Sequence, residues 1–189
     1  RNALVNNTTG SYNTANGGGA LFNNTTGNHN VGIGQGALSN NTEESRSVAV
    51  GDSALFYNTA PGSTTIGYGS LYSNTTGLAN TASGYMALYR NTTGNFNTAN
   101  GYLTLLDNIN ASHNTAMGYR ALLSNNFGER NTAIGSNALR ENRTGIENTA
   151  TGMYALTNNL SGGGNTANGT SSLFNNTEGI RNTAVGYKS

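Results

Sequence analysis

Apolar side chains recur along this chain at a fixed spacing, separated by Asn, Thr and Gly, rather than in long blocks. The pattern returns every 17 residues, except for one step of 16 residues between Ser47 and Ser63. Position 1 of the eleven copies falls on Asn13, Asn30, Ser47, Ser63, Asn80, Asn97, Asn114, Asn131, Asn148, Asn165 and Asn182. The consensus reads N-T-A-x-G-Y-x-A-L-x-x-N-T-T-G-x-x. Self-similarity at a fixed period indicates a repeat architecture, so we expect one repetitive segment over residues 1–189.

Three positions of the repeat scarcely vary: position 5 is Gly, position 9 is Leu and position 12 is Asn. Glycine permits a sharp bend or a close approach of two backbones. Leucine, with Ala at positions 3 and 8, would fill a thin interior, and stacked Asn side chains would form a ladder of amides. In the central copies the predicted ladder residues are Gly84, Gly101, Gly118, Leu88, Leu105, Leu122, Asn91, Asn108 and Asn125.

The period also selects the kind of secondary structure. Helix-pair repeats need roughly 33–47 residues, and the Gly-bearing turns and Asn/Thr clusters disfavour helix. We therefore predict an all-β fold, a parallel β-solenoid (β-roll) of about eleven coils with two short strands per coil. The strands are expected at positions 1–4 and 7–11, as at Thr132–Ile134 and Ala138–Arg140. The Asn-Thr-Thr-Gly segment should turn the chain with its Gly at positive φ.

Composition narrows the function classes. Only 34% of residues are hydrophobic and 9% are charged, against roughly 45–50% and 25% in a globular domain. The formal net charge is only +1, so the chain has no basic stripe that could neutralise the phosphates of a nucleic acid. No apolar run reaches the ~20 residues that span a bilayer. Because the chain has no Cys, thiolate metal sites are excluded. We expect neither a nucleic-acid partner nor membrane insertion.

Catalytic chemistry is not indicated. The acidic residues do not recur at one repeat position, and a convex rod offers no cleft in which two carboxylates could converge. His29 and His113 occupy position 17 of coils far apart, so we interpret them as solvated turn residues rather than metal ligands. The sequence predicts no enzyme activity, no metal and no cofactor.

Two variable positions carry alternative interpretations. Position 6 holds Tyr68, Tyr85, Tyr102 and Tyr119 in successive coils, which would stack into a stripe. Packing at a bend is the expected role, and a sugar-binding or subunit-docking strip is the alternative. Thr recurs at position 2, where β-branched residues suit strands. The alternative there is an array that orders water, as on ice-binding solenoids.

The repeats resemble known families. The segments NTAMGYRAL (114–122), NTAIGSNAL (131–139) and NTASGYMALYRNTTGNFNTANGY (80–102) resemble repeats of phage tail-fibre proteins. Residues 46–51, RSVAVG, are similar to the N-S-V-A-I-G motif of trimeric autotransporter adhesin heads. That resemblance implies left-handed parallel β-rolls, three chains to a trimer, on a bacterial surface. A departure from the adhesin pattern is a position 4 that is often polar, as at Asn16, Asn100 and Asn168.

The resulting functional hypothesis is a non-catalytic structural segment of a virion tail fibre or a bacterial surface adhesin, extracellular and supporting attachment. Its partners would be copies of itself, as a trimer or end to end. One alternative is an extracellular filament, in which the exposed ends of successive solenoids pair with one another. Another is a solenoid face that binds a host-surface glycan or ice.

Overall fold

The structure, a computed structural model, describes residues 2–189, and within them it contains eleven strands and no helix. All strands are parallel and lie side by side in the order of the sequence. They are β1 Thr14–Asn16, β2 Val31–Ile33, β3 Val48–Val50, β4 Thr64–Ile66, β5 Thr81–Ser83, β6 Thr98–Asn100, β7 Thr115–Met117, β8 Thr132–Ile134, β9 Thr149–Thr151, β10 Thr166–Asn168 and β11 Thr183–Val185. The predicted parallel β-solenoid with a 17-residue repeat is confirmed.

Equivalent repeat positions lie directly beside one another in neighbouring coils. In β6 and β7, Thr98 pairs with Thr115 and Ala99 with Ala116. The register survives the 16-residue coil, because Val48 still pairs with Thr64. The shortened segment lies in the turn around Pro61, outside any strand, so its missing residue shifts no strand position.

The predicted second strand at positions 7–11 is wrong, since these residues form consecutive turns. Position 9 is left-handed in every coil that contains it, from Leu4 to Leu173, with φ between 47° and 54°. The amide of Leu122 donates to the carbonyl of Ala138 in the next coil (3.0 Å), but Asn125 donates back to Leu122 within its own coil (3.4 Å). Left-handed backbone costs a non-Gly residue about 1–2 kcal/mol. Complete burial of Leu offsets this by about 1.5–3 kcal/mol.

The predicted positive φ at position 15 is also wrong. Among the described residues the left-handed turn residue lies at position 17 instead, as at Phe96 (φ 55°) and His113 (φ 61°). Glycine at position 15 relieves crowding between coils, although Glu44 and Ala111 fill the same position in other coils. A Cβ on Gly94 would collide with the carbonyl oxygen of Ala111 and lie 2.5 Å from Oδ1 of Asn91.

The core is a single thin column of Ala and Leu. Each strand points position 3 inward and positions 2 and 4 outward, because side chains alternate along a strand. Leu88, Leu105 and Leu122 are fully buried with the alanines of positions 3 and 8. Where two polar residues replace alanines, Thr65 and Ser70 hydrogen-bond to each other inside the core.

Candidate functional surfaces

The Asn side chains of position 12 form a continuous buried ladder from Asn7 to Asn176. At its centre Nδ2 of Asn108 donates to Oδ1 of Asn91 (2.8 Å) and to the carbonyl of Ala111 (2.9 Å). Oδ1 of Asn108 accepts from Nδ2 of Asn125 (3.1 Å). These three residues are fully buried. Each amide therefore both joins adjacent coils and braces a turn of its own coil.

Sequence reasoning missed a second ladder, at position 1. Nδ2 of Asn97 donates to the carbonyl of Ala111 (2.9 Å), which thus receives an amide from each ladder. Oδ1 of Asn97 accepts from the backbone amide of Asn114 in the next coil (3.0 Å). The recurrence of Asn at position 1 was the available signal, and it marks the point where strand and turn of one coil are tied together.

The position 1 ladder is interrupted beside the shortened coil. Ser47 and Ser63 replace Asn there; the backbone amide of Asn80 still donates to Oγ of Ser63 (3.3 Å), but no equivalent bond joins Ser63 to Ser47. Oγ of Ser47 is buried and has no hydrogen-bond partner. Within the described solenoid the position 1 ladder is therefore broken at the step between Ser47 and Ser63.

The glycines of position 5 lie at a close approach between adjacent coils. Gly84, Gly101 and Gly118 have φ of 132°, 137° and 127°, values that favour glycine. A Cβ on Gly118 would lie 2.8 Å from the carbonyl carbon and oxygen of Gly135 in the next coil. Both conformation and space exclude a side chain.

The four tyrosines of position 6 stack on one another. Ring centroids are 5.3 Å apart for Tyr68 and Tyr85, 5.2 Å for Tyr85 and Tyr102, and 5.5 Å for Tyr102 and Tyr119. The rings lie within 13° of parallel, and the guanidinium of Arg120 covers Tyr119 at 4.9 Å. Since each inner ring face is covered by a neighbour, the stripe presents ring edges and hydroxyls to solvent. A sugar ring therefore finds no free aromatic face within it.

A second aromatic stack, Phe56, Tyr72 and Tyr89, lies at position 10 with centroids 5.3 and 5.0 Å apart. Burial raises the pKa of Tyr72. The neighbouring Tyr57 raises this pKa further, through a hydrogen bond and through the negative charge that Tyr57 carries when it is ionised. The aromatic residues thus pack as ladders at two repeat positions.

Titratable side chains are dispersed over the turns. His29 stacks on Tyr12 (4.9 Å) and His113 on Phe96 (5.2 Å), and both histidines are exposed. Arg90 pairs with Asp107 (3.0 Å) and Arg130 with Glu147 (3.5 Å), each across adjacent coils. Over residues 2–189, no three His, Asp or Glu side chains converge on a metal-sized site.

A concavity of about 750 Å³ lies on the surface of the last coils and is lined by residues that include Leu173, Phe174, Asn176, Asn182 and Lys188. Its lining residues occupy positions that contact the following coil elsewhere in the solenoid, so its shape is that of a coil-to-coil contact. No helix within residues 2–189 has the length and apolarity needed to cross a membrane.

Searches of protein-family models, curated proteins and solved structures found no match to this chain.

Proposed function

We propose that this chain is a non-catalytic structural segment of an extracellular fibre, such as a virion tail fibre or a bacterial surface adhesin. One observation carries the proposal: the recurring polar side chains of the interior are used for contacts between and within coils. Asn97 and Asn108 converge on one carbonyl, and Asn91 continues the same chain of amides. The residues that scarcely vary between repeats thus hold successive coils together along the axis of the rod. A molecule built in this way is suited to keeping its two ends apart.

Mechanical resistance follows from the number of parallel connections. Apart from the step between Ser47 and Ser63, where one ladder is broken, adjacent coils are joined by strand pairing, by turn hydrogen bonds and by two side-chain ladders. To separate two coils, these bonds must break together rather than one at a time. A rod of this kind would carry an attachment module away from a particle or cell without bending at any flexible joint.

Single-molecule stretching between residues 14 and 183 tests this role. We expect stepwise unfolding in which each coil adds about 50 Å, since 17 residues extend by ~3.4 Å each and the folded coil already spans ~4.8 Å. Smooth lengthening with no force peaks would contradict a mechanical function.

We further propose self-association as a homotrimer, which the repeat resemblance supports. Sedimentation equilibrium should give three times the chain mass of 19.5 kDa. An open-ended series of masses would favour the filament, in which solenoid ends meet through contacts such as those of Leu173 and Asn182.

An adhesive glycan-binding face is the second candidate, and the exposed hydroxyls of Tyr85 and Tyr102 are its support. It predicts glycan-array signals that Tyr85→Ala and Tyr102→Ala reduce. The structural role predicts no glycan signal for either variant or the unmodified chain.

A further inference from the structure

The outward face of the eleven-stranded sheet, formed by positions 2 and 4 of β1–β11 and called here the sheet face, has a regular chemistry. Position 2 is Thr in nine of the eleven strands, and eight of these are consecutive from β4 to β11. These residues are Thr14, Thr64, Thr81, Thr98, Thr115, Thr132, Thr149, Thr166 and Thr183. All are exposed or half-buried.

The hydroxyls of these threonines are not used by the fold. In the part of the chain that the structure describes, none of them hydrogen-bonds to another protein group, whereas the threonines of position 13 do. Oγ1 of Thr75 donates to the carbonyl of Thr92 (2.9 Å), and Oγ1 of Thr92 to that of Ile109 (3.0 Å). Val31 and Val48 at position 2 show that the strand itself accepts a side chain without a hydroxyl. The free hydroxyls therefore remain available to water or a ligand.

The strand register arranges the face as a two-dimensional array. Neighbouring coils place equivalent side chains about 4.8 Å apart, and positions 2 and 4 of one strand are about 6.7 Å apart. Threonine has few χ1 rotamers, and the buried amides of Asn97 and Asn108 hold the coils behind it. Water bound to such a face would repeat along the rod at the strand spacing.

The charge and the area of the sheet face indicate what kind of surface it binds. None of the outward residues at positions 2 and 4 is charged, so the face complements a neutral surface and offers nothing to an ionic partner. The sheet measures about 50 Å by 10 Å, less than the roughly 800 Å² per partner of a standard protein interface. A repetitive neutral crystal fits this long, narrow face better than a protein does.

We propose that the sheet face binds ice. The threonine methyl groups and the apolar side chains of position 4, such as Ile134, restrict the water over them. The free hydroxyls hydrogen-bond that water and fix its positions, as bridging waters do at wet interfaces. The ordered layer then joins a growing ice surface.

The test uses the whole chain in three forms: unmodified, the pair Thr98→Lys with Thr149→Lys, and the pair Thr93→Lys with Thr144→Lys. The first pair lies on the sheet face, and the control pair lies at position 14, equally exposed on another side. Far-UV circular dichroism establishes that all three are folded. Thermal hysteresis and partition into a slowly growing ice front are then measured.

The unmodified chain and the control pair should show hysteresis and enrichment in ice, and the sheet-face pair should lose both. Exclusion of the folded, unmodified chain from ice would overturn the proposal. Equal behaviour of the two lysine pairs would overturn it as well, since binding would then not depend on the sheet face.

Discussion

Replacing Asn108 by Ala removes the central member of the position 12 ladder and tests how much that ladder stabilises the rod. The side chain is fully buried and makes three hydrogen bonds, to Asn91, Asn125 and the carbonyl of Ala111. The carbonyl of Ala111 keeps its bond from Asn97, and Nδ2 of Asn125 keeps its bond to Gly128. The change therefore orphans Oδ1 of Asn91 and one N–H of Asn125.

The loss of stability caused by Asn108→Ala follows from these two unpaired groups. Each buried polar group left without a partner costs about 1–3 kcal/mol, and the truncated side chain leaves a small void. We expect the free energy of unfolding to fall by about 4 kcal/mol, with the void term included. For an exposed control, Asn100→Ala should change it by less than about 0.5 kcal/mol, because Asn100 is exposed on the sheet face.

Urea unfolding followed by far-UV circular dichroism measures both variants. Unfolding of a repeat rod can lose two-state character, so the midpoint and slope are compared separately with the unmodified chain. If Asn108→Ala and Asn100→Ala shift the midpoint equally, the amide ladder does not stabilise the solenoid.

Asn108→Asp adds a second readout. Burial raises the pKa of the introduced carboxyl, so stability should recover as the pH falls through that raised pKa.

Three further predictions concern other sites. Ser47→Asn should raise the free energy of unfolding by about 1–2 kcal/mol, because its amide would reach the carbonyl of Ala60 and repair the interrupted ladder; an unchanged urea midpoint would count against this. Gly101→Ala should destabilise by about 3 kcal/mol or more through both φ and a clash, whereas Gly62→Ala, with open space around it, should cost only about 1–2 kcal/mol in the same urea experiment. Since the pKa of Tyr72 is raised in the folded chain, the unfolded chain ionises first and stability should decline above pH ~10; Tyr72→Phe should flatten that decline in melts across pH 9–11, and an identical decline would refute the assignment.

The coil period, the parallel register and the burial of Leu88, Leu105 and Leu122 follow directly from the sequence. A fixed repeat in one chain forces equivalent residues to meet at every step, so the periodicity alone predicts which side chains are neighbours. The polar strand positions, such as Asn100, could also be assigned to the outer face, because side chains alternate along a strand.

The conformation of the turns could not be predicted in the same way. An Ala-Leu pair such as Ala121 and Leu122 looks like strand, yet Leu122 is left-handed because complete burial outweighs its backbone cost. Position 15 glycines such as Gly94 resemble left-handed turn residues, but their φ is not positive, and what glycine relieves there is crowding against the carbonyl oxygen of the next coil. These outcomes depend on contacts between coils, which local sequence preferences do not encode.

The central claim is that each 17-residue coil advances the rod by one strand spacing, and distances between spin labels test it most directly. The described chain has no cysteine, so cysteines introduced at Thr64, Thr149 and Thr183 on the sheet face can be labelled in pairs. Thr64 and Thr149 lie five coils apart, and Thr64 and Thr183 lie seven coils apart. Pulsed dipolar spectroscopy should give narrow distributions near ~24 Å and ~34 Å, respectively, from ~4.8 Å per coil. Broad distributions, or two distances that do not grow with the number of coils, would contradict the stacked solenoid.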